Sequence, residues 1–135
     1  MVDTLSPQER SRLMSRVRSH DTGPELAVRR LVHSLGYRYR LHRPDLPGRP
    51  DLVFPGRRKV IFVHGCFWHR HEGCSAARIP KSRRAFWKTK LEANRERDRR
   101  VIRRLRGLGW GVMIVWECSV GNSPRLAKRI ERFLG

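Results

Sequence analysis

Apolar side chains recur at helical spacing in three stretches of the chain. The first follows Thr22, the second spans about residues 83–108, and the third follows Ser123. In each stretch the apolar positions lie three or four residues apart, which is typical of an amphipathic helix packed on a core. We expect Thr22 and Ser123 to cap the helices that they precede. A capping box at Ser6 predicts a further, basic helix over residues 6–18.

Four shorter stretches have the β-branched and aromatic content of strands. They are residues 37–41, 51–54, 59–64 and 110–117. The second and third stretches are joined by a short turn that begins at Pro55 and Gly56. Folding this hairpin about its turn brings Asp51 beside residues 62–64. The third and fourth strands could lie side by side, with their ends at the same edge of a sheet.

The predicted order of elements is α, α, β, β, β, α, β, α. Neither a repeat nor a linker divides the chain, and 135 residues bury one modest core rather than two. We therefore predict one α/β domain over residues 1–135, with a mixed central sheet flanked by helices. Residues 1–22 would form an N-terminal helix and its connector, and residues 23–135 the core.

The charge of the chain indicates a polyanionic partner. It has 31 Lys and Arg residues against 12 Asp and Glu, a formal net charge of +19. Nucleic acid is the first candidate, because each phosphate neutralised by Lys or Arg releases counterions and favours binding. An arginine-rich solvated surface, or a purely structural nucleic-acid binder, would give the same composition.

The chain shows no sign of a membrane segment. No apolar run approaches the roughly 20 residues that a membrane span needs, and Leu13 and Met14 lie among arginines, unlike the apolar core of a signal peptide. We expect a cytosolic protein. Its 3 cysteines cannot form a complete disulfide framework, and in a reducing compartment cysteines near histidines more often bind metal or act in catalysis.

Four residues have the character of zinc ligands. Cys66, His71 and Cys74 follow the third strand, and Cys118 follows the fourth. A Cys₃His set supplies the four ligands of a closed tetrahedral zinc site, which stabilises a loop and leaves no position for substrate. Three buried free thiols are the simpler alternative. A zinc hydrolase that uses these ligands directly is another.

A second set of residues suits phosphodiester hydrolysis. Asp51 could hold a divalent cation, His69 could accept a proton from water, and His64 could polarise the phosphate or assist the leaving group. Asp98 lies on the apolar stripe of the long predicted helix, where it could orient His69. Each of these residues alone would more often be a surface or ion-pairing residue. A non-catalytic zinc module that binds DNA through its charge would not require them to converge.

Three aromatic residues accompany these sets. Phe67 and Trp68 lie between a predicted zinc ligand and the predicted base, and Trp87 lies on the long helix. The three rings could belong to the core, or they could be wedges that enter a base stack at weakened steps such as mismatches. The residues alone leave both readings open.

The chain resembles the very short patch repair endonucleases, which nick DNA at T:G mismatches. The resemblance runs from about residue 8 to the C-terminus. It is carried by residues 46–51, 61–69, 86–87, 94–100, 108–110 and 115–118. It implies a restriction-endonuclease-like fold, in which the N-terminal helix contacts DNA and residues 23–135 form the catalytic core.

The resemblance also implies roles for individual residues. Asp51 and the main-chain carbonyl of Val63 would bind magnesium, and His69 would be the general base. His64 and Asp98 would support this base. The remaining implied positions are Glu25 at the edge of the catalytic site, Phe67, Trp68 and Trp87 beside the mismatch, and Met14 on the opposite groove side.

The implied substrate is duplex DNA in which deamination of 5-methylcytosine has left a T:G mismatch. The strand would be nicked on the 5′ side of that thymine to admit a repair polymerase. The implied setting is the bacterial cytoplasm and its nucleoid, with mismatch-repair proteins as further partners. We expect a monomer.

The chain departs from the family pattern in two places. Val63 stands where the best-known members have Thr, which matters little if only its carbonyl binds metal. The spacing from His71 to Cys74 is one residue longer than expected, so the zinc loop could be reshaped or Glu72 could intrude. The hairpin also lacks the Glu-x-Lys of commoner nucleases in this superfamily, and the histidines would replace that lysine.

Overall fold

The computed structural model describes residues 22–135. The helices are α1 (Gly23–Ser34), α2 (Arg84–Gly107) and α3 (Ser123–Leu134), and the strands are β1 (Arg40–Leu41), β2 (Leu52–Phe54), β3 (Lys59–His64) and β4 (Gly111–Trp116). The helix predicted over residues 6–18, with Met14, lies outside the described residues. Between residues 22 and 135, no helix is both long and apolar enough to cross a membrane.

The four strands form one mixed sheet in the order β1-β2-β3-β4. The predicted hairpin is confirmed, since β2 and β3 are antiparallel with Leu52 opposite Ile61. The last two strands are parallel, with His64 beside Trp116. The carboxyl ends of β3 and β4 therefore lie at the same edge of the sheet. Asp51, the residue before β2, lies at this edge as well.

Helices cover both faces of the sheet. Ile61 of β3 belongs to a core shared with α1 and α3, whereas its neighbours Val60 and Phe62 belong to a second core that includes Leu105 of α2. This division follows from the alternation of side chains along a strand. The predicted α/β architecture, a mixed sheet flanked by helices, is confirmed.

The first predicted strand is mostly wrong. Of residues 37–41, only Arg40–Leu41 pair with β2. The Tyr37 amide instead donates to the Val32 carbonyl of α1, and the Tyr37 side chain packs on the core. The end of the helix therefore holds the segment that the sequence pattern assigned to the sheet.

The helix caps are partly as predicted. Thr22 Oγ1 accepts a hydrogen bond from the Glu25 amide at 3.3 Å, as expected of an N-cap. The prediction for Ser123 is wrong by one residue, since the cap of α3 is Asn122, whose side chain accepts from the Arg125 amide at 3.4 Å. Asparagine caps helices as well as serine does, so Ser123 becomes the first helical residue.

The loop between β1 and β2 packs closely on α2. At Gly48, φ is +72°, and a Cβ atom there would lie 2.5 Å from Val101 Cγ1. Only glycine fits this position without a shift, both because the conformation is left-handed and because the helix leaves no room. The loop that leads into Asp51 is thus fixed against α2.

Candidate functional site

Asp51 is fixed at the end of the β2–β3 hairpin. Its Oδ2 accepts a hydrogen bond from the Val63 amide at 2.6 Å, which agrees with the predicted proximity to residues 62–64. The Asp51 side chain is 14% exposed. A carboxylate held in this way presents its remaining lone pairs at the carboxyl end of β3.

The surroundings of Asp51 disfavour its charged form. Burial raises the pKa of Asp51 to about 8, and the neighbouring Glu25 carboxylate adds to the rise. The Val63 amide and the Arg29 guanidinium act in the opposite direction. Two carboxylates in one partly buried place are stabilised by a cation, which makes this a candidate metal centre.

A histidine pair lies at the same strand end. The rings of His64 and His69 are stacked, with centroids 3.7 Å apart and planes 6° apart. His69 Nδ1 lies 2.6 Å from Asp98 Oδ2 of α2. With its hydrogen on Nδ1, His69 donates to this carboxylate and keeps the Nε2 lone pair free to accept a proton.

His64 is the buried member of this pair. It is 5% exposed, and burial, followed by the effect of His69, lowers its pKa to about 3. Asp98 acts in the opposite direction. His64 Nδ1 is buried without a hydrogen-bond partner in the part of the chain that the structure describes. His64 is therefore a neutral imidazole near pH 7.

The four predicted zinc ligands come together. Cys66, His71, Cys74 and Cys118 each offer one ligand atom, and these atoms all lie within 4.8 Å of one another. His71 Nδ1 lies 3.6 Å from Cys66 Sγ and 3.5 Å from Cys118 Sγ. Three sulfur atoms and one imidazole nitrogen form a donor set that suits tetrahedral zinc.

The turn between His71 and Cys74 keeps Glu72 outside this cluster. Gly73 adopts φ of +76°, and the Cys74 amide donates to the His71 carbonyl at 3.2 Å. The Glu72 side chain is 86% exposed and pairs with Arg95 at 3.3 Å. Glu72 thus points away from the sulfur atoms, and the alternative in which it intrudes is wrong.

The three aromatic residues pack against each other. The ring of Phe67 lies 5.2 Å from that of Trp68 and 5.6 Å from that of Trp87, centroid to centroid. Trp87 is 3% exposed, whereas Phe67 and Trp68 are half-buried. In this structure Trp87 is part of the interior, and the other two rings have a surface that a partner could contact.

Comparison with known proteins identifies the family. The family described as DNA mismatch endonuclease Vsr matches residues 2–75. The chain belongs to this family. The DNA mismatch endonuclease Vsr of Escherichia coli is 43% identical over 126 residues, which cover 93% of this chain and 80% of that protein.

Other relatives of this Vsr family member are nicking enzymes by name. The type II nicking enzyme V.XorIIP of Xanthomonas oryzae is 54% identical over 134 residues, covering 99% of this chain and 98% of the relative. V.NmeAIP of Neisseria meningitidis, also named a type II nicking enzyme, is 37% identical, with 99% of this chain and 95% of that protein covered. The chain is therefore a DNA endonuclease of the Vsr family.

A solved structure supports the fold of this Vsr family member. The catalytic domain of the homing endonuclease I-Bth0305I matches with a TM-score of 0.58 at 16% identity, over 84% of this chain and 94% of that one. The predicted restriction-endonuclease-like fold is thereby confirmed. At this identity the likeness concerns the fold alone.

The sequence pattern did not indicate two residues beside Asp51. His42 Nδ1 lies 3.9 Å from Asp51 Oδ1, and His42 Nε2 lies 3.2 Å from Glu25 Oε2. Arg29 pairs with the same Glu25 oxygen. Glu25 itself is 2% exposed and lies within this group. The feature of the sequence that could have indicated His42 is its position directly after the predicted strand over residues 37–41. Pairing of that strand with the one that begins at Asp51 would bring the two residues together.

Proposed function

We propose that this endonuclease nicks duplex DNA at a T:G mismatch, on the 5′ side of the mismatched thymine. Such mismatches arise when 5-methylcytosine is deaminated, and the nick would begin very short patch repair. Family membership and the named activity of the E. coli relative support the mismatch as substrate. The names of the other relatives support nicking of a single strand.

The main support for this proposal is that Asp51 and His69 are held by consecutive residues of β3. The Val63 amide fixes Asp51, and the next residue, His64, stacks on His69. A carboxylate suited to a cation and an imidazole suited to proton transfer thus meet at one strand end. Hydrolysis of a phosphodiester requires both.

Asp51 and the main-chain carbonyl of Val63 would hold the catalytic magnesium ion. These are the oxygen donors that magnesium prefers, and a cation would offset the burial that raises the pKa of Asp51. When bound, magnesium neutralises charge on the phosphate. His69, oriented by Asp98, would take the proton from the attacking water at Nε2.

His64 would remain neutral beside His69 throughout the reaction. Its low pKa makes it a poor proton acceptor at neutral pH, so it would instead donate a hydrogen bond from its ring N–H to the phosphate or to the leaving oxygen, without transferring the proton. Glu25 would support the metal centre through its position beside Asp51.

Zinc would have a structural role. The ligands Cys66, His71, Cys74 and Cys118 would occupy all four positions of a tetrahedral ion and leave none for substrate. Cys66 follows His64 by two residues, and His69 lies between Cys66 and His71. The ion would therefore fix the segment that carries the base.

Binding would combine general attraction with local recognition. The net charge of +19 would attract the phosphate backbone. Phe67 and Trp68 would enter the base stack beside the mismatch, and the buried ring of Trp87 would support them from the protein interior. Met14 would contact the opposite groove. We further propose that the enzyme acts as a monomer in the bacterial cytoplasm, on nucleoid DNA, with mismatch-repair proteins and a repair polymerase completing the process.

The proposal is tested with end-labelled T:G, matched and other mismatched duplexes, each incubated with magnesium or without it. We expect magnesium-dependent nicking of the thymine strand of the T:G duplex. Asp51→Ala and His69→Ala should each reduce nicking by about 100-fold or more and retain DNA binding.

Three outcomes would contradict the proposal in different ways. Equal nicking of matched duplex would indicate a general nicking enzyme. Unchanged turnover in both variants would place the active site elsewhere. Full activity with zinc alone would favour a zinc hydrolase that uses the Cys₃His site.

A further inference from the structure

Three side chains from different parts of the fold meet at the start of β2: those of Glu25, His42 and Asp51. Glu25 comes from α1, His42 follows β1, and Asp51 precedes β2. Each offers one ligand atom, and these atoms all lie within 4.8 Å of one another. The imidazole of His42 therefore adds a nitrogen donor to the oxygen donors of Asp51 and the Val63 carbonyl.

The backbone directs His42 toward Asp51. Leu41 pairs with Leu52 in the antiparallel β1–β2 ladder, so the next residue of β1 comes beside the residue that precedes β2. His42 adopts φ of 45°, a left-handed conformation that is uncommon for residues other than glycine. The chain thus leaves the ladder at His42, and the ring faces both carboxylates.

The two ring nitrogens of His42 face different partners. Nε2 lies 3.2 Å from Glu25 Oε2 and 3.1 Å from Arg29 Nη2, and Nδ1 lies 3.9 Å from Asp51 Oδ1. Glu25 is buried and its Oε2 also receives the Arg29 guanidinium. A carboxylate held in this way is a strong acceptor for an N–H group at Nε2. A cation bound at Nδ1 selects the form with the hydrogen on Nε2, which Glu25 accepts while the Arg29 guanidinium keeps its ion pair with the same carboxylate.

This arrangement matches the way in which proteins orient metal-binding histidines. One ring nitrogen binds the ion, and the other donates its hydrogen to a carboxylate that fixes the ring. Two ligands that each lie about 2.1 Å from one ion are about 3–4 Å apart, depending on the angle between them. The 3.9 Å between His42 Nδ1 and Asp51 Oδ1 lies in this interval.

We infer that His42 binds the catalytic cation through Nδ1 alongside Asp51, and that Glu25 orients the imidazole rather than binding the ion. The inference rests on the proposed function, in which Asp51 holds a divalent cation. A nitrogen ligand favours Mn²⁺ over Mg²⁺, because imidazole suits transition metals and magnesium prefers oxygen. The centre therefore accepts Mn²⁺ more tightly than one built from Asp51 and a carbonyl alone.

The test uses Mn²⁺ as the probe on the full chain with its zinc retained. Pulsed electron paramagnetic resonance detects a ¹⁴N nucleus bound directly to Mn²⁺. We expect this nitrogen signal in the unaltered protein, its loss in His42→Gln, and its persistence in His64→Gln and His69→Gln. His33→Gln, a change to an exposed histidine of α1, serves as the matched control.

Calorimetric titration supplies a second readout. His42→Gln should lower the Mn²⁺ affinity by about tenfold or more, and the Mg²⁺ affinity by less. Glu25→Gln should weaken the Mn²⁺ affinity in the same direction, because the amide is a poorer acceptor for His42 Nε2. Circular dichroism melts of each variant verify that the fold is retained.

The outcomes separate this inference from the proposed function. A nitrogen signal that persists in His42→Gln, or that is absent from the unaltered protein while Asp51→Asn still abolishes Mn²⁺ binding, would overturn the role of His42 only. Mn²⁺ binding and T:G nicking that both survive Asp51→Asn would overturn the metal centre, and the inference with it.

Discussion

The imidazole of His64 lies face to face with that of His69, with 3.7 Å between the ring centroids. Two positively charged rings at this separation would repel each other, so the pair carries at most one charge. The more buried ring stays neutral, because burial lowers the pKa of His64 to about 3. His69 is the less buried ring of the pair, and its Nδ1 lies 2.6 Å from Asp98 Oδ2.

The first prediction concerns the titration of His64. Its ring nitrogens, observed by ¹⁵N NMR, should not titrate between pH 5 and 8. An imidazole that titrates near its ordinary value of 6.5 would contradict the burial argument.

The same shift has a consequence for acid stability. Because its pKa is lowered in the folded state, His64 contributes stability that is present above about pH 6.5 and lost as the pH falls toward 3. The unaltered protein should therefore lose more thermal stability between pH 7 and 4 than His64→Gln does. Thermal melts at the two pH values measure the difference.

The second prediction concerns His69, the proposed general base, and the carboxylate of Asp98. His69→Ala should reduce the rate of T:G nicking by about 100- to 10,000-fold, the usual contribution of a general base. Asp98→Asn should have a smaller effect, because the ring keeps its place but loses the charge that balances it. Asp45→Asn, which alters a carboxylate paired with Arg43 at the surface, is the matched control. Single-turnover rates in which Asp98→Asn and Asp45→Asn are alike would rule out an orienting role.

The third prediction concerns Asp51 in magnesium-free buffer. Its pKa is raised from 3.8 to about 8 in the folded protein. Its contribution to stability is therefore complete below about pH 3.8 and lost as the pH rises through 8. Asp51→Asn avoids this loss, so its melting temperature should exceed that of the unaltered protein by an amount that grows from pH 4 to pH 8. Added magnesium should reduce this difference in melting temperature. A difference that does not depend on pH would show that the titration of Asp51 is not its cause.

Much of this site could be predicted because its residues lie close to strand ends. A hairpin with a short turn has few possible registers, so the place of Asp51 beside Val63 followed from the pattern. His64 and Cys66 follow an apolar run, and Cys118 follows another. Once the two strands are parallel neighbours, their ends must meet.

The contribution of His42 could not be predicted in this way. Its position depends on a strand of only two residues and on a left-handed residue, neither of which leaves a periodic pattern. Trp87 was ambiguous for a different reason. An aromatic residue on the apolar stripe of a helix has the same pattern whether it stays in the interior or leaves it to contact a ligand.

The fourth prediction concerns zinc. Metal analysis of the purified protein should give one zinc ion per chain. Cys118→Ser should reduce this content and lower the melting temperature by about 5 °C or more, because a structural zinc ion contributes to folding. Ser119→Ala, at the adjacent position, is the control. Zinc content and stability that are unchanged in Cys118→Ser would leave the alternative of free thiols.

The fifth prediction concerns the aromatic surface beside the base. Trp68→Ala should reduce the preference for T:G over matched duplex more than it reduces the salt-dependent affinity for DNA, because the backbone contacts remain. Leu108→Ala, which alters an exposed apolar side chain at the far end of α2, should change neither. Binding titrations on both duplexes at two salt concentrations measure the two quantities. An equal loss on both duplexes would assign Trp68 to general affinity.

The close packing of Gly48 against Val101 links the loop that precedes Asp51 to the helix that carries Asp98. Val101 lies one helical turn beyond Asp98, so a methyl group at position 48 would press on the stretch of α2 that aligns the His69 ring. A substitution at Gly48 would then slow the proton transfer to His69, although the enzyme would still fold and bind its substrate.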